Sequence, residues 1–256
     1  MNETMNRLMS HRSIRKFTEK PVNRETLEDI LRAAQMASSS SNMQAYSVIN
    51  ITDPQKRRQL AHIASDQSYV TESPVFLVWC ADLQRLAASC GFDAGSGYVG
   101  TTENLVAALV DAALAAQNAV VAAESLGLGA VYIGAIRNHI HAVAELLELP
   151  ELVMPVFGMC LGYPDQEPIL RPRLPLAAVL HENRYDADKI TDLVGEYDLT
   201  TERYMVERSG GKSKANWTDS MKKKLSAPIR MDIARFIGSR GFWRNEEKDM
   251  NPGERQ

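Results

Sequence analysis

Five consecutive residues near the N-terminus carry a dense set of hydrogen-bond donors. Residues 11–15 read His-Arg-Ser-Ile-Arg, and we call them the N-terminal basic segment. Arginine binds phosphate through two parallel N–H bonds and stays charged at any working pH. His11, Ser13 and the two guanidinium groups of Arg12 and Arg15 could therefore hold an anionic group. The alternative is a solvated charge cluster, because exposed charges often have no function.

A second basic cluster, Arg171-Pro172-Arg173, lies in a proline-rich loop after the predicted core strands. Proline fixes its own backbone dihedral, so the loop should display both guanidinium groups rigidly. No acidic residue stands directly beside either cluster to neutralise it. Two such clusters could close on one phosphate, which favours the anion-binding interpretation of the N-terminal basic segment.

Three further segments suit a flat, polar ligand. The serine loop, residues 38–44 (Ser-Ser-Ser-Ser-Asn-Met-Gln), offers hydroxyl groups and an amide after a predicted helix. Gln67 and Tyr69 lie in a polar loop between a helix and a strand, and residues 132–135 end a buried strand with small side chains. Each segment alone is equally well explained as an ordinary connection.

Other nucleotide and metal signatures are absent or incomplete in the sequence. Residues 95–100 match G-x-G-x-x-G, but a dinucleotide-binding fold needs a strand directly before that motif, and the nearest predicted strand ends well upstream. The chain has no G-x-S-x-G and no Walker A sequence. His139 and His141 are two positions apart, whereas zinc-binding helices use i, i+4 spacing. We predict no metal site and interpret the glycines as a flexible loop.

Composition and cysteine usage narrow the class of protein. The chain has 256 residues and a net charge of −3, with 45% hydrophobic and 24% charged residues, close to a soluble globular average. This excludes a disordered chain, a collagen-like repeat and a small disulfide scaffold. The odd number of cysteines, three, suits a reducing compartment, and the N-terminus lacks the apolar stretch of a secretory signal. These features predict a cytoplasmic protein.

The most apolar stretch, residues 105–123, approaches the length of a membrane span. It is rich in alanine and contains Asp111, and an aspartate at the centre of a bilayer costs about 2.5–3.5 kcal/mol on insertion scales. A buried core helix is the better interpretation, so we predict no membrane association.

Hydrophobic periodicity and cap residues predict an α+β core with a helical C-terminal extension. Residues 84–100 contain four glycines and are predicted to be a loop. Predicted helices cover residues 24–37, 54–64, 102–126 and 139–149, with one or two more within 217–237, and predicted strands cover 46–52, 74–81, 130–136, 153–163 and 176–182.

Taken in this order, the segments resemble the nitroreductase family, specifically its NADPH-dependent branch of oxygen-insensitive nitroreductases and FMN reductases. The matching stretches span most of residues 8–190, and their combination is highly specific. They are HRSIRKFT (11–18), SSSSNMQAYS (38–47), AAESLGLGAVYIGAIRN (122–138), GMCLGYP (158–164) and RPRLPLAAVLHENRY (171–185).

The resemblance implies a mixed sheet flanked by helices and an intertwined homodimer that binds FMN at its interface. It implies a domain division into an FMN-binding core, residues 1–190, and an extension, residues 191–256. The helix at 102–126 would be the central dimer helix. The implied FMN-binding residues are His11, Arg12, Ser13, Arg15, Ser39, Ser40, Ser41, Gln44, Gln67, Tyr69, Ile133, Gly134, Arg171 and Arg173.

The resemblance also implies a nucleotide-binding segment in the extension. Arg208 matches the family's NADPH-binding arginine, but a further arginine expected near position 213 is replaced by Ser213. The neighbouring Lys212 and Lys214 are cationic, so we expect NADPH as co-substrate and leave NADH open. Residues 201–256 hold 13 basic and 8 acidic side chains within a chain of net charge −3. We interpret part of that excess as a mobile loop that catches the extra phosphate of NADPH.

The implied reaction is ping-pong hydride transfer from NAD(P)H through FMN to a small-molecule acceptor: a nitroaromatic, a quinone or free flavin. The flavin carries the chemistry, which explains why no protein acid–base pair or nucleophile stands out. The alternatives are a dedicated FMN reductase that supplies a partner monooxygenase and a non-enzymatic redox sensor. A nucleic-acid-binding scaffold is disfavoured because acidic residues are interspersed through the basic tail.

Overall fold

A four-stranded antiparallel sheet forms the centre of the first of two compact units. The computed structural model describes residues 2–93 and 98–243, so Gly95 and Gly97 of the G-x-G-x-x-G match lie outside the described residues. The first unit comprises Met1–Glu167 and Arg230–Gln256, and the second comprises Pro168–Ile229. We describe each unit by itself.

The sheet has the strand order β1-β2-β4-β3. Every residue of β2 is buried, as its continuous apolar sequence predicts for a strand covered on both faces. Alternate β2 side chains enter different hydrophobic clusters: Phe76 and Val78 pack in one, Leu77 and Trp79 in the other. The strands are β1 (Tyr46–Asn50), β2 (Val75–Asp82), β3 (Gly129–Ile133) and β4 (Val153–Gly162).

Helices cover both faces of the sheet, and several of them begin at a polar residue whose side chain caps the first turn. Asn23 accepts a hydrogen bond from the Thr26 N–H at 2.7 Å, and Asp53 caps the helix that opens with Pro54. The α-helices are α1 (Glu3–Met9), α2 (Arg24–Gln35), α3 (Pro54–Ile63), α4 (Tyr69–Glu72), α5 (Gln84–Ser89), α6 (Thr102–Ser125), α7 (Ile140–Leu146), α8 (Ile190–Ser209), α9 (Trp217–Leu225) and α10 (Ile233–Ser239).

Three predicted elements differ from the structure. Part of the predicted loop at 84–100 is the helix α5. The Asp82 carboxylate holds the start of this helix, because it accepts from the Arg85 N–H at 3.1 Å. The predicted strand at 130–136 ends at Ile133 and continues as a 3-10 helix. The predicted fifth strand at 176–182 contains only a short 3-10 helix, because the described residues of the second unit include no sheet edge with which it could pair.

Among the described residues, one isolated bridge makes the sheet mixed. All pairs among β1 to β4 are antiparallel. Ser13 pairs in parallel with Ala130 at the outer edge of β3. This bridge joins the N-terminal basic segment to the sheet.

Two glycines of β4 allow close approach of neighbouring elements. A Cβ atom on Gly158 would lie 2.6 Å from the Phe76 ring, and one on Gly162 would lie 2.5 Å from Pro74. Such distances are shorter than any real van der Waals contact, so no larger residue fits without displacing its neighbours. Gly158 and Gly162 therefore mark two points at which neighbouring elements lie directly against β4.

The second unit consists of α8 and α9 with the segment that precedes them. Tyr197 packs edge-on against Trp217 at a ring-centroid distance of 5.9 Å, and its hydroxyl donates to the Pro172 carbonyl at 3.0 Å. Many apolar side chains of this unit remain exposed, among them Leu176, Val179, Leu180, Tyr185, Leu199 and Leu225.

Helix α6 is long and apolar enough to span a membrane by length and composition alone. Half of its most apolar stretch is buried inside the protein, and the core helix of a soluble protein meets the same criteria. Its exposed apolar side chains, Val106, Val110 and Leu114, are spaced four residues apart and so form one stripe.

Candidate functional site

The N-terminal basic segment is fixed along the start of β3. The Ile14 N–H donates to the Ala130 carbonyl at 2.9 Å, next to the Ser13 bridge. Ile14 is buried, and a Cβ on Gly129 would lie 2.4 Å from its Cγ1. The missing side chain at Gly129 thus lets the segment lie directly on the strand.

The two arginines of this segment keep donors available. Arg12 donates from Nη1 to the Ser10 carbonyl at 3.0 Å, but its Nε is buried without a hydrogen-bond partner among the described residues. Arg15 is exposed. Neither guanidinium group forms an ion pair with a described carboxylate. Buried donors in native proteins normally have partners, so the orphaned Nε fits an anionic ligand that completes the site.

Arg15 also connects the segment to Tyr69 at the start of α4. Burial raises the pKa of Tyr69, and the charge of Arg15 and a hydrogen bond from it offset part of that increase. Two hydrogen bonds hold helix α4 in place. The Cys160 thiol donates to the Tyr69 carbonyl at 3.3 Å, and Arg57 donates to the Ser73 carbonyl at 2.8 Å. The structure therefore brings Tyr69 and the N-terminal basic segment together.

His11 makes a different kind of contact. Its Nδ1 lies 2.6 Å from Oε1 of Glu124, and both side chains are largely buried. Glu124 belongs to the last turn of α6, so the pair attaches the start of the N-terminal basic segment to the C-terminal end of that helix.

The serine loop has a strained backbone, and contacts from other segments hold it in place. Ser41, Asn42 and Gln44 have φ values of +47°, +58° and +50°. Non-glycine residues in the left-handed region cost about 1–3 kcal/mol each and persist only where surrounding contacts impose them. Within the loop, Ser39 Oγ accepts from the Gln44 N–H at 3.2 Å. Ser40, Ser41 and Gln44 are exposed, so their side chains remain available to a ligand.

Two side chains outside the serine loop provide those contacts. Asp111 of α6 accepts from the Ser40 N–H and the Ala45 N–H, each at 3.0 Å. Arg85 of α5 donates to the carbonyls of Gln44 and Tyr46 at 2.6 and 2.8 Å. An anion thus holds N–H groups, and a cation holds carbonyls, of the loop and of the two residues that follow it.

Ile133 and Gly134 lie where β3 ends, beside two guanidinium groups. Ile133 is buried. A Cβ on Gly134 would lie 3.3 Å from the Arg137 guanidinium and 3.7 Å from that of Arg230. Burial lowers the pKa of Arg137, and the positive charge of Arg230 lowers it further. Two cations without a carboxylate partner among the described residues create a positive potential at this point of the backbone.

Within one chain, the predicted site residues do not all lie around one point. The N-terminal basic segment, Tyr69 and the beginning of β3 lie together, whereas the serine loop is attached elsewhere on α6. The two attachment points, Glu124 and Asp111, are about 20 Å apart along the helix axis at 1.5 Å per residue. The contacts of Gln67 are local, with its carbonyl accepting from Val70 at 3.0 Å.

The remaining predicted residues belong to the second unit. Arg171 and Arg173 are exposed, and Arg173 donates to the Arg171 carbonyl at 3.0 Å. Arg208 is in the last turn of α8, and Lys212 and Lys214 follow a turn with left-handed glycines at 210 and 211. All three of these cations are exposed.

Four residues of the site are not predicted from the sequence: Asp111, Glu124, Arg137 and Arg230. In the sequence, Asp111 serves only as an argument against a membrane span. A carboxylate in an alanine-rich core helix must find donors, so that position carried a usable signal. Arg230 carried no such signal in the sequence. Its Nε donates to Asn138 at 3.1 Å, and Asn138 is distant in the chain.

Nearly the whole chain matches known proteins of one family. A model of the nitroreductase family matches residues 8–163, and a model of that family's C-terminal domain matches residues 171–245. The FMN reductase (NADPH) of Bacillus subtilis is 40% identical over 250 residues, which cover 96% of this chain and 100% of that protein. The NADPH-flavin oxidoreductase of Vibrio harveyi is 42% identical, covering 94% and 99%. The crystal structure of nitroreductase A from Vibrio parahaemolyticus superposes with a TM-score of 0.88 at 42% identity, covering 94% of this chain and 98% of that one.

Proposed function

Because the chain belongs to the nitroreductase family, we propose that it is an FMN-dependent oxidoreductase that uses NADPH to reduce a small-molecule acceptor. The acceptors we propose are nitroaromatics, quinones and free flavin. Relatives along almost the full chain are named FMN reductase (NADPH) and NADPH-flavin oxidoreductase. The observation in this chain that carries the proposal is the pair of arginines that the N-terminal basic segment places beside β3, with an orphaned buried donor and no neutralising carboxylate among the described residues.

The residues of this site fit FMN. We propose Arg12, Ser13 and Arg15 as the phosphate ligands of the first unit, and Arg171 and Arg173 as phosphate ligands of the second. His11 orients the segment through Glu124. The rest of the proposed flavin pocket consists of Ser39, Ser40, Ser41, Gln44, Gln67, Tyr69, Ile133 and Gly134.

The chemistry that bound FMN supplies is two-electron transfer from NADPH to an electron-poor acceptor. The protein's contribution is position and charge. Arg137 and Arg230 place two guanidinium groups against Gly134, where they favour negative charge on a group bound there, as an oxyanion hole does. Because the two cations repel each other, an anionic or electron-rich group between them also relieves that repulsion.

We propose that the active form is a homodimer whose partner completes each site. The apolar stripe of α6, at Val106, Val110 and Leu114, remains exposed in one chain and would be covered by the second. The exposed apolar side chains of the second unit support the same assembly. The separation of the serine loop from the N-terminal basic segment is explained if each site takes its serine loop from the other copy. We also propose a domain boundary after residue 190 and a cytoplasmic location. The three free cysteines support the cytoplasmic location.

The test is to purify the protein and to follow its visible absorption. We expect a yellow dimer whose flavin band is bleached by NADPH faster than by NADH under anaerobic conditions. The band should return on addition of a nitroaromatic or a quinone. A colourless protein that takes up no added FMN contradicts the proposal. A yellow protein that neither nucleotide bleaches contradicts the enzymatic part and leaves a flavin-binding protein.

Arg208 should determine the preference for NADPH. Replacing it by alanine removes one charge-assisted contact to the extra phosphate, worth about 1.5–3 kcal/mol, so we expect kcat/KM for NADPH to fall about tenfold or more. The value for NADH, which lacks that phosphate, should hardly change. Lys222→Ala, an exposed lysine in α9, is the matched control. Equal losses with both nucleotides would show that Arg208 does not recognise the phosphate.

A further inference from the structure

Asp111 is a buried carboxylate with no basic partner among the described residues. It is 1% exposed and lies in the middle of α6, where the buried positions nearby are Ala108, Ala112 and Ala115. It takes part in no ion pair within the described parts of the chain. Its two oxygens accept from the Ser40 and Ala45 N–H groups. A buried charge is expensive unless hydrogen bonds compensate it, so this position requires a specific benefit.

The contacts of Asp111 flank the second half of the serine loop. Ser40 lies within the loop and Ala45 directly follows it, and between them Ser41, Asn42 and Gln44 adopt left-handed backbone conformations. The carboxylate oxygens are a fixed distance apart, so they set the separation of these two N–H groups as well as their orientation. Arg85 holds the carbonyls of Gln44 and Tyr46.

We propose that Asp111 is a positioning residue: it fixes the serine loop in the shape in which its exposed hydroxyl and amide groups meet the flavin. The inference rests on the proposed function, because it assigns a purpose to a loop that the FMN site would use. Asp111 does not touch the flavin. It acts through the backbone N–H groups of Ser40 and Ala45.

The alternative is that Asp111 only stabilises the packing of α6 against the loop. A purely structural role would lower the melting temperature without changing the flavin itself. The positioning role changes properties of bound flavin: its absorption spectrum, its rate of dissociation and the KM for the acceptor. These readouts separate the two roles.

The experiment compares Asp111→Asn with Asp53→Asn in the flavin-loaded protein. Asparagine keeps one acceptor but turns an NH₂ group toward a backbone N–H, so one of the two bonds is lost. Asp53 is the matched control, because its carboxylate also accepts two backbone N–H bonds, from Gln55 and Lys56, but at the start of α3. We expect Asp111→Asn to accelerate hydrogen exchange of the Ser40 and Ala45 amides by about tenfold. The flavin band should shift, FMN should dissociate faster, and the acceptor KM should rise more than kcat falls.

Exchange is also measured in the flavin-free protein, so the two proposals fail separately. If the amides exchange faster while the flavin band, FMN dissociation and KM stay at the Asp53→Asn values, the positioning role is overturned and the proposed function stands. If the wild-type protein binds no FMN, the proposed function fails first. Unchanged exchange of both amides overturns the inference in either case.

A second variant covers the case in which Asp111→Asn does not fold. Arg85→Ala removes an exposed side chain that holds the same loop by its carbonyls and leaves α6 intact. If the position of the serine loop matters, this variant should show the same shift of the flavin band and the same faster loss of FMN. A loosened loop with wild-type flavin properties in Arg85→Ala also overturns the proposal.

Discussion

Replacing Arg15 by alanine should cause the purified protein to lose its FMN during gel filtration. Arg15 is exposed beside the start of β3, contacts Tyr69 and has no carboxylate partner among the described residues. Losing one charge-assisted hydrogen bond to phosphate costs about 1.5–3 kcal/mol, which weakens FMN binding roughly 10- to 150-fold. The measurement is the ratio of flavin to protein absorbance before and after dilution, together with the dissociation constant from flavin fluorescence.

Arg24→Ala is the matched control for this change. Arg24 is an exposed arginine at the start of α2 that pairs with Glu28, outside the N-terminal basic segment. An exposed i, i+4 pair contributes about 0.3–0.5 kcal/mol, so the control should keep its flavin and nearly all of its stability. Full flavin occupancy in Arg15→Ala, and likewise in Arg173→Ala, would show that the phosphate assignment is wrong.

Replacing Gly129 by alanine should damage both the fold and the site. The new Cβ would lie 2.4 Å from Cγ1 and 2.8 Å from Cβ of Ile14, atoms too close to the backbone to swing aside. The N-terminal basic segment must therefore move away from β3. Overpacking of this kind costs about 1–3 kcal/mol, and the displaced arginines should also bind FMN more weakly. Thermal unfolding measures the first effect and flavin retention the second.

Gly195→Ala makes the same chemical change where space is open. Gly195 lies within α8, and nothing approaches the position of its missing Cβ. Alanine is the better helix former by about 0.5–1 kcal/mol, so this control should unfold at the same or a higher temperature and keep its flavin. A Gly129→Ala protein with wild-type stability and flavin content would mean that Ile14 is not held against β3 as the structure places it.

Local patterns predicted most of the secondary structure because their causes are local. Asn23 and Asp53 start helices through their own side chains, and the continuous apolar run of β2 marks a strand covered on both faces. The predicted strand at 176–182 was wrong for the complementary reason. A strand needs a neighbouring edge, and no property of residues 176–182 reveals whether their own unit offers one.

The order of motifs also identified the family and the residues proposed to bind FMN. Such motifs are readable because each keeps several ligand-contacting residues within a few positions, as in the N-terminal basic segment and the serine loop. The residues that hold these segments are scattered. Glu124 lies on α6, far along the chain from His11, and Arg85 reaches the serine loop from α5. No local pattern connects such pairs.

The sequence by itself therefore determined the class of chemistry, because the order of its motifs identifies the family and each motif is local in the chain. Only the tertiary structure decided how those residues are held. It placed Arg137 and Arg230 beside Gly134, attached the serine loop to Asp111, and separated that loop from the arginines along α6. The distances between these residues, their burial and their hydrogen-bond partners are set when remote segments pack. They therefore depend on the folded chain as a whole.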